Sequence, residues 1–300
     1  MTIVGSTQGG AVYDRGYRPY EGRRGGRAEA RWALWRLTIR RALGLRRSWR
    51  QKVMPWTLLG IVTIPAIVNV GVGYLSRDTP ASDFRFITYR EYVGVSAAML
   101  LFVAVTAPDA VCPDRHDRVL PLIFSRQLTG VDYVLAKVGA IATIVFGFSV
   151  IPQLVLFVGQ TLVSDNGALD YYLDNDEVLW QVPVAAALLA LWYAVIAVAL
   201  ASLTDRRIVG GIALLGLALV TSAIAGVFIG ANDGEHSIMF LVNLLALPLA
   251  LRDVVFLGHL HHSSPLSGSE GAAWFAGIEY AVITVAAFAL LFWRYREVDL

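Results

Sequence analysis

The chain is short of the residues from which soluble sites are built. Its one cysteine, Cys112, excludes a disulfide framework, a CxxC pair and any Cys-rich metal site within the chain. Charged residues make up only 16% of it, against about 25% in soluble domains. There is no G-x-x-x-x-G-K-[ST] phosphate loop, and neither lysine, Lys52 or Lys137, follows a glycine. H-E-x-x-H, G-x-S-x-G and a G-x-G-x-x-G after a strand are missing as well. The chain therefore has no recognised device for hydrolysing ATP. Residues 1–30 are rich in Gly, Arg and Tyr and hold no apolar run of the kind a secretory signal needs, so no cleaved leader is expected.

What the chain has in excess is apolar surface. Hydrophobic residues account for 56%, more than a water-soluble core can hide, so lipid must be the solvent for much of it. Apolar runs near 54–75, 91–111, 136–163, 181–203, 208–230 and 274–293 predict six transmembrane helices. The third is long enough to tilt or to project from the bilayer. A seventh stretch, 238–258, carries Pro248 and the pair Arg252–Asp253. A charge at the bilayer centre costs about 2.5–3.5 kcal/mol or more, so this stretch predicts an outer re-entrant or interfacial hairpin before the last span. Of the 25 Lys and Arg, all but Arg77, Arg85, Arg90 and Arg252 then fall on one side. The positive-inside rule makes that side cytoplasmic, with both termini on it.

The expected fold class is an all-α integral membrane protein. Residues 1–28 predict an irregular cytoplasmic arm, 29–52 an amphipathic interfacial helix, and 53–300 the six-helix transmembrane domain. In the interfacial segment Trp32, Trp35, Ile39, Leu43 and Trp49 fall near helical spacing, while Arg31, Arg40, Arg41, Arg47 and Arg50 crowd the other faces. That pattern points aromatics at lipid and guanidinium groups at headgroups.

Inside the spans the expected polar groups are mild: Asn69, Gln153, Gln160, Ser and Thr. Asp109 and Glu91 are read at helix ends, and no buried Asp, Glu or Arg of the kind a coupled carrier uses is expected. Trp56, Phe146, Phe157 and Trp192 are candidates to line a cavity or to face lipid. The fifth run carries Ser222, Gly226 and Gly230 at small-xxx-small spacing, which suits close helix packing, within the chain or between two copies of it. His259, His261 and His262 sit together in an outer loop, where Glu270 or His236 could complete a metal shell. A polar interfacial loop explains them as well, and no metal site is expected. No span contains a histidine or an acid pair suited to catalysis, so an enzyme is not expected.

The segment 107–137, APDAVCPDRHDRVLPLIFSRQLTGVDYVLAK, is more specific. It has an acidic and basic cluster from Asp114 to Arg118, then Leu120-Pro121-Leu122, then Ser125-Arg126, then Tyr133. In this it resembles the corresponding segment of permease subunits of type-2 ABC exporters, and YDRGYRPYEGRR at 13–24 resembles the N-terminus of their actinobacterial members. The resemblance implies a coupling helix, drawn from Arg118, Leu120, Pro121, Leu122, Phe124, Ser125, Arg126, Leu128 and Tyr133, that docks on a separate ATPase subunit. ATP and Mg would bind that partner, leaving this chain without a cofactor. It also implies a second permease subunit, identical or related, and a place in the cell membrane, with no nucleic-acid partner. Pro113 and Pro121 are expected to break the second span, and the apolar residues between Leu120 and Leu128 to form an exposed patch that calls for a partner. The implied function is outward transport driven by the partner's ATP hydrolysis. The alternative is a non-transporting subunit that passes ATPase motion to an extracytoplasmic protein.

Overall fold

The computed structural model describes residues 25–45, 49–75, 88–92, 96–125, 127–164, 167–231, 242–261 and 271–296. Lipid offers a backbone no hydrogen-bond partners, so a spanning chain must satisfy its own amides, and the described elements are α-helices. Helix α1 (Arg27–Ala42) precedes α2 (Trp49–Leu75); a single turn, α3 (Tyr89–Tyr92), leads to α4 (Ser96–His116). A five-residue helix, α5 (Leu120–Phe124), then connects to α6 (Gly130–Val163). Next come α7 (Ala168–Asp174), α8 (Val178–Ser202), α9 (Arg207–Ala231), α10 (Ala246–Leu257) and α11 (Ala272–Arg296).

Among the described residues six helices are long and apolar enough to cross a membrane: Pro55–Leu75, Tyr89–His116, Gly130–Val163, Val178–Ser202, Arg207–Gly230 and Ala272–Arg296. Each covers one of the six expected runs. Helix α8 is the centre of the bundle, packed on α4, α6, α9, α10 and α11. The outer helices α2, α9 and α11 keep most of their apolar surface outward. The start of α1 and the end of α11 meet at one end of the bundle, where Arg27 reaches Asp132 and the Tyr133 and Tyr295 rings lie 4.9 Å apart. That end, where α4 closes and α6 opens, is called the basic end below.

Three expectations change. The interfacial segment is not one helix from 29 to 52. Helix α1 stops at Ala42, where Gly44 adopts φ 67° and the amides of Gly44 and Leu45 close back on the carbonyls of Arg41 and Arg40. This left-handed glycine cap ends a helix wherever it forms, and Trp49 belongs to α2 instead. Nor does α1 turn all its apolar residues to lipid, since Leu34, Thr38 and Ala42 are buried as it packs on α6 and α4.

The second span is not broken by proline. Pro108 and Pro113 both lie inside α4, and Pro121 sits in the first turn of α5, where its missing N–H costs nothing. Helix α4 ends through the same left-handed cap, now on Arg118 at φ 52°, with Arg118 N–H bonded to Arg115 O and Val119 N–H to Asp114 O. The expected outer hairpin is described only in part. Residues 232–241 lie outside the described residues, and α10, at 12 residues, reaches about 18 Å, short of the roughly 30 Å hydrocarbon core. Within α10 half-buried Arg252 pairs with buried Asp253 at 2.7 Å.

Helices α4 and α9 approach unusually closely. Proline at 108 cannot donate to the carbonyl of Ala104, and that carbonyl oxygen is what a Cβ on Gly211 would meet, at 2.6 Å. Gly211→Ala should therefore destabilise the protein by about 1–3 kcal/mol through overpacking. Gly226→Ala, where a Cβ meets nothing within 4 Å, should be neutral or slightly stabilising. Thermal unfolding in detergent compares the two, and equal midpoints would refute the close approach.

Candidate functional site

The connection between α4 and α6 stands on a set of buried charges. Asp114, in the last turn of α4, and Lys137, two turns into α6, are 2% and 1% exposed. Their charged atoms lie 2.6 Å apart. The Lys137 ammonium also donates to Ala110 O at 2.6 Å and lies 5.3 Å from the centre of the Tyr133 ring. Asp114 accepts two further bonds, from the Tyr133 hydroxyl at 3.1 Å and from Arg41 of α1 at 3.0 Å. A carboxylate taken from water needs this many donors, because an uncompensated buried charge costs several kcal/mol.

A second cluster caps α6. Thr129 and Asp132 form a capping box: the Thr129 hydroxyl accepts from Asp132 N–H, and the Asp132 carboxylate accepts from Thr129 N–H at 3.1 Å. Arg27 of α1 donates to both side chains, at 2.6 Å to Asp132 and 2.9 Å to Thr129. On the other flank Arg115 pairs with Asp205 at 3.0 Å and donates to Ser202 O, and Arg207 pairs with Asp109 at 2.9 Å. A recess of about 410 Å³ lies beside this flank, lined by Pro113, His116, Asp117, Asp205, Arg206 and Arg207.

On this footing the loop sorts the predicted coupling residues into two groups. Leu120 and Leu128 are buried at 8% each, Tyr133 is buried, and Phe124 is half-buried with its ring edge-on to Tyr133 at 5.9 Å. These residues hold the loop down, so the expected exposed patch from Leu120 to Leu128 is mostly internal. Leu122 is 69% exposed, and Arg118, Pro121 and Ser125 are exposed around it. Ser125 turns its hydroxyl back to Leu122 O at 2.9 Å. Arg126 lies outside the described residues.

The remaining candidates are scattered. Ser222 bonds Asn243 at 2.8 Å inside the chain, while Gly226 and Gly230 are exposed. His259 and His261 are placed, His262 lies outside the described residues, and no group of three potential metal ligands occurs among those described. Trp192 is buried, stacks on Tyr280 at 5.0 Å and donates to Leu244 O at 3.1 Å. Buried charge stands where the expected runs end: Asp114 and Asp132 lie just outside 91–111 and 136–163 and Lys137 at the start of the latter, while within a run Glu279 of α11 is a half-buried carboxylate. The signal for the first three was present. A lone lysine one or two turns into an apolar run needs a carboxylate, and T-x-x-D before that run marks a cap.

The ion pair makes a prediction. Lys137→Met leaves the buried Asp114 carboxylate short of its principal partner and should cost about 3–5 kcal/mol. Asp114→Asn alone should cost a similar amount, and the double variant should recover much of the loss. Strictly additive shifts in the unfolding midpoint would show that the two residues do not act as a pair.

No family model matches the chain, and no curated protein matches it either.

Proposed function

We propose that this chain is the membrane-spanning permease subunit of an ATP-driven exporter of the type-2 ABC class. The reading rests first on the resemblance of residues 107–137 to the coupling segment of those permeases. The observation that best supports it is Leu122, an exposed leucine on a five-residue helix that is anchored on both sides. Leu122 stands alone, so it supports the reading by its place at the tip of an anchored turn and not by the apolar area it exposes. In this reading α5 docks in a cleft of a separate ATPase, which holds ATP and Mg, and transmits its closure. The footing of buried charge passes that movement to α4, α6 and α1.

The positive-inside bias sets the basic end, and so both termini, in the cytoplasm of a cell-membrane protein. The outward face of α9 around Gly226 and Gly230 suits a second permease subunit, with the transport pathway between the two copies.

Affinity purification through this chain, co-expressed with its cognate ATPase, tests the proposal. The wild-type chain should retain the ATPase. Leu122→Asp should lose it while keeping the wild-type unfolding midpoint, because Leu122 contributes little to the fold. Leu120→Asp and Leu128→Asp should unfold the loop itself and so serve only as contrasts. An ATPase retained by Leu122→Asp would refute docking through α5. ATP turnover by the chain purified alone would refute the division of labour.

A further inference from the structure

The five arginines of α1 do different work. At about 3.6 residues per turn, Arg27, Arg31 and Arg41 lie on the flank that faces α4 and α6, and all three pair with Asp132 or Asp114. Arg36 and Arg40 lie on the opposite flank. Both are exposed, and neither pairs with a carboxylate of the described residues. Arg36 instead rides over the Trp32 ring at 5.9 Å, and Trp32 stacks on Trp35 at 4.3 Å.

Between these two flanks runs the stripe of Ile39 and Leu43, and it forms one wall of an apolar cavity of about 220 Å³. Trp56 of α2 forms another wall, and the stacked rings of Phe102 and Phe148, 4.4 Å apart, close it on the bundle side. Thr143 carries a hydroxyl on the wall, and it already donates to Gly139 O of its own helix at 2.7 Å. Gly147 leaves room, since a Cβ there meets nothing within 4 Å. The cavity thus makes no polar demand on an occupant, and free cations stand beside it.

We propose that this cleft is a binding site for an anionic phospholipid, one acyl chain lying in the cavity and the phosphate held by Arg36 and Arg40. Charge complementarity selects the headgroup and the dry walls select the chain; a soluble anion would gain nothing from the walls, and a zwitterionic lipid gains less from the arginines because its own cation offsets its phosphate. The site requires the six helices to lie in a membrane, but it is independent of any ATPase partner.

Native mass spectrometry of the full chain in detergent, titrated with phosphatidylglycerol or phosphatidylcholine, tests the site. Wild type should retain one phosphatidylglycerol in preference to phosphatidylcholine. Removing two juxtamembrane cations in Arg36→Gln/Arg40→Gln should weaken phosphatidylglycerol retention roughly tenfold to thirtyfold and phosphatidylcholine retention by much less. Gly147→Leu, which fills the cavity, should weaken both lipids, whereas the outward-facing Gly226→Leu should weaken neither. Equal retention of the two lipids by wild type would overturn the proposal. So would an equal loss in Arg296→Gln, which points to bulk charge, or unchanged retention in Gly147→Leu. ATPase retention by Arg36→Gln/Arg40→Gln and by Gly147→Leu should stay at the wild-type level, which separates failure of the lipid site from failure of the transporter reading.

Discussion

A buried ammonium and a buried carboxylate, held together by 2.6 Å of geometry, govern the basic end of this protein. Neither charge can be carried into an apolar environment alone, so Lys137 and Asp114 must meet, and their meeting sets the register of α4 against α6. Once the pair is in place its spare lone pairs and protons need partners. That demand recruits Tyr133, Arg41 and the carbonyl of Ala110. Helix α1 is thereby drawn onto the bundle rather than left afloat in the headgroup layer. The arrangement is weak evidence for stability, because a well-packed apolar pair of the same volume often does as well. What it supplies is specificity of position, at the place where the short helix α5 is presented.

Much of the architecture was legible because lipid imposes a coarse rule. A run of about 20 apolar residues either spans or must be explained, and each of the six runs became a helix. The exception at 238–258 was recognised by its charges, and α10 is indeed too short to cross. Helix ends were the harder part. Proline looked like the breaker of the second span, yet membrane helices absorb proline when neighbours cover the freed carbonyl, as Gly211 does at Ala104. The true stops are two residues in the left-handed region, Gly44 and Arg118. A glycine there can be suspected from a sequence, whereas an arginine cannot, because its left-handed conformation is imposed by the bonds that close the turn.

The site was legible in outline and misread in detail. Residues 118–133 contain the exposed helix, but an apolar residue named in a sequence carries no label for inside or outside. Leu120, Leu128 and Tyr133 face the bundle and Leu122 faces away, a division set by how a five-residue helix lands on Tyr133 and its neighbours. The arginines of α1 posed the same problem. Their number suggested headgroups, but those facing α4 and α6 answer to Asp114 and Asp132, and only contacts across more than 70 residues of chain reveal which ones.

The two ends of the α4–α6 connection share a property that bears on how force travels. One end is closed by the cap at Arg118 and the other by the Thr129–Asp132 box, so the link is stiff at both hinges. Push on its middle and neither helix can yield by uncoiling. The load divides between α4 and α6 at once, and Arg41 and Arg27 hand a share to α1 on each side. Mechanically the segment has the form of a yoke rather than a tether: a single short helix is tied to three longer ones.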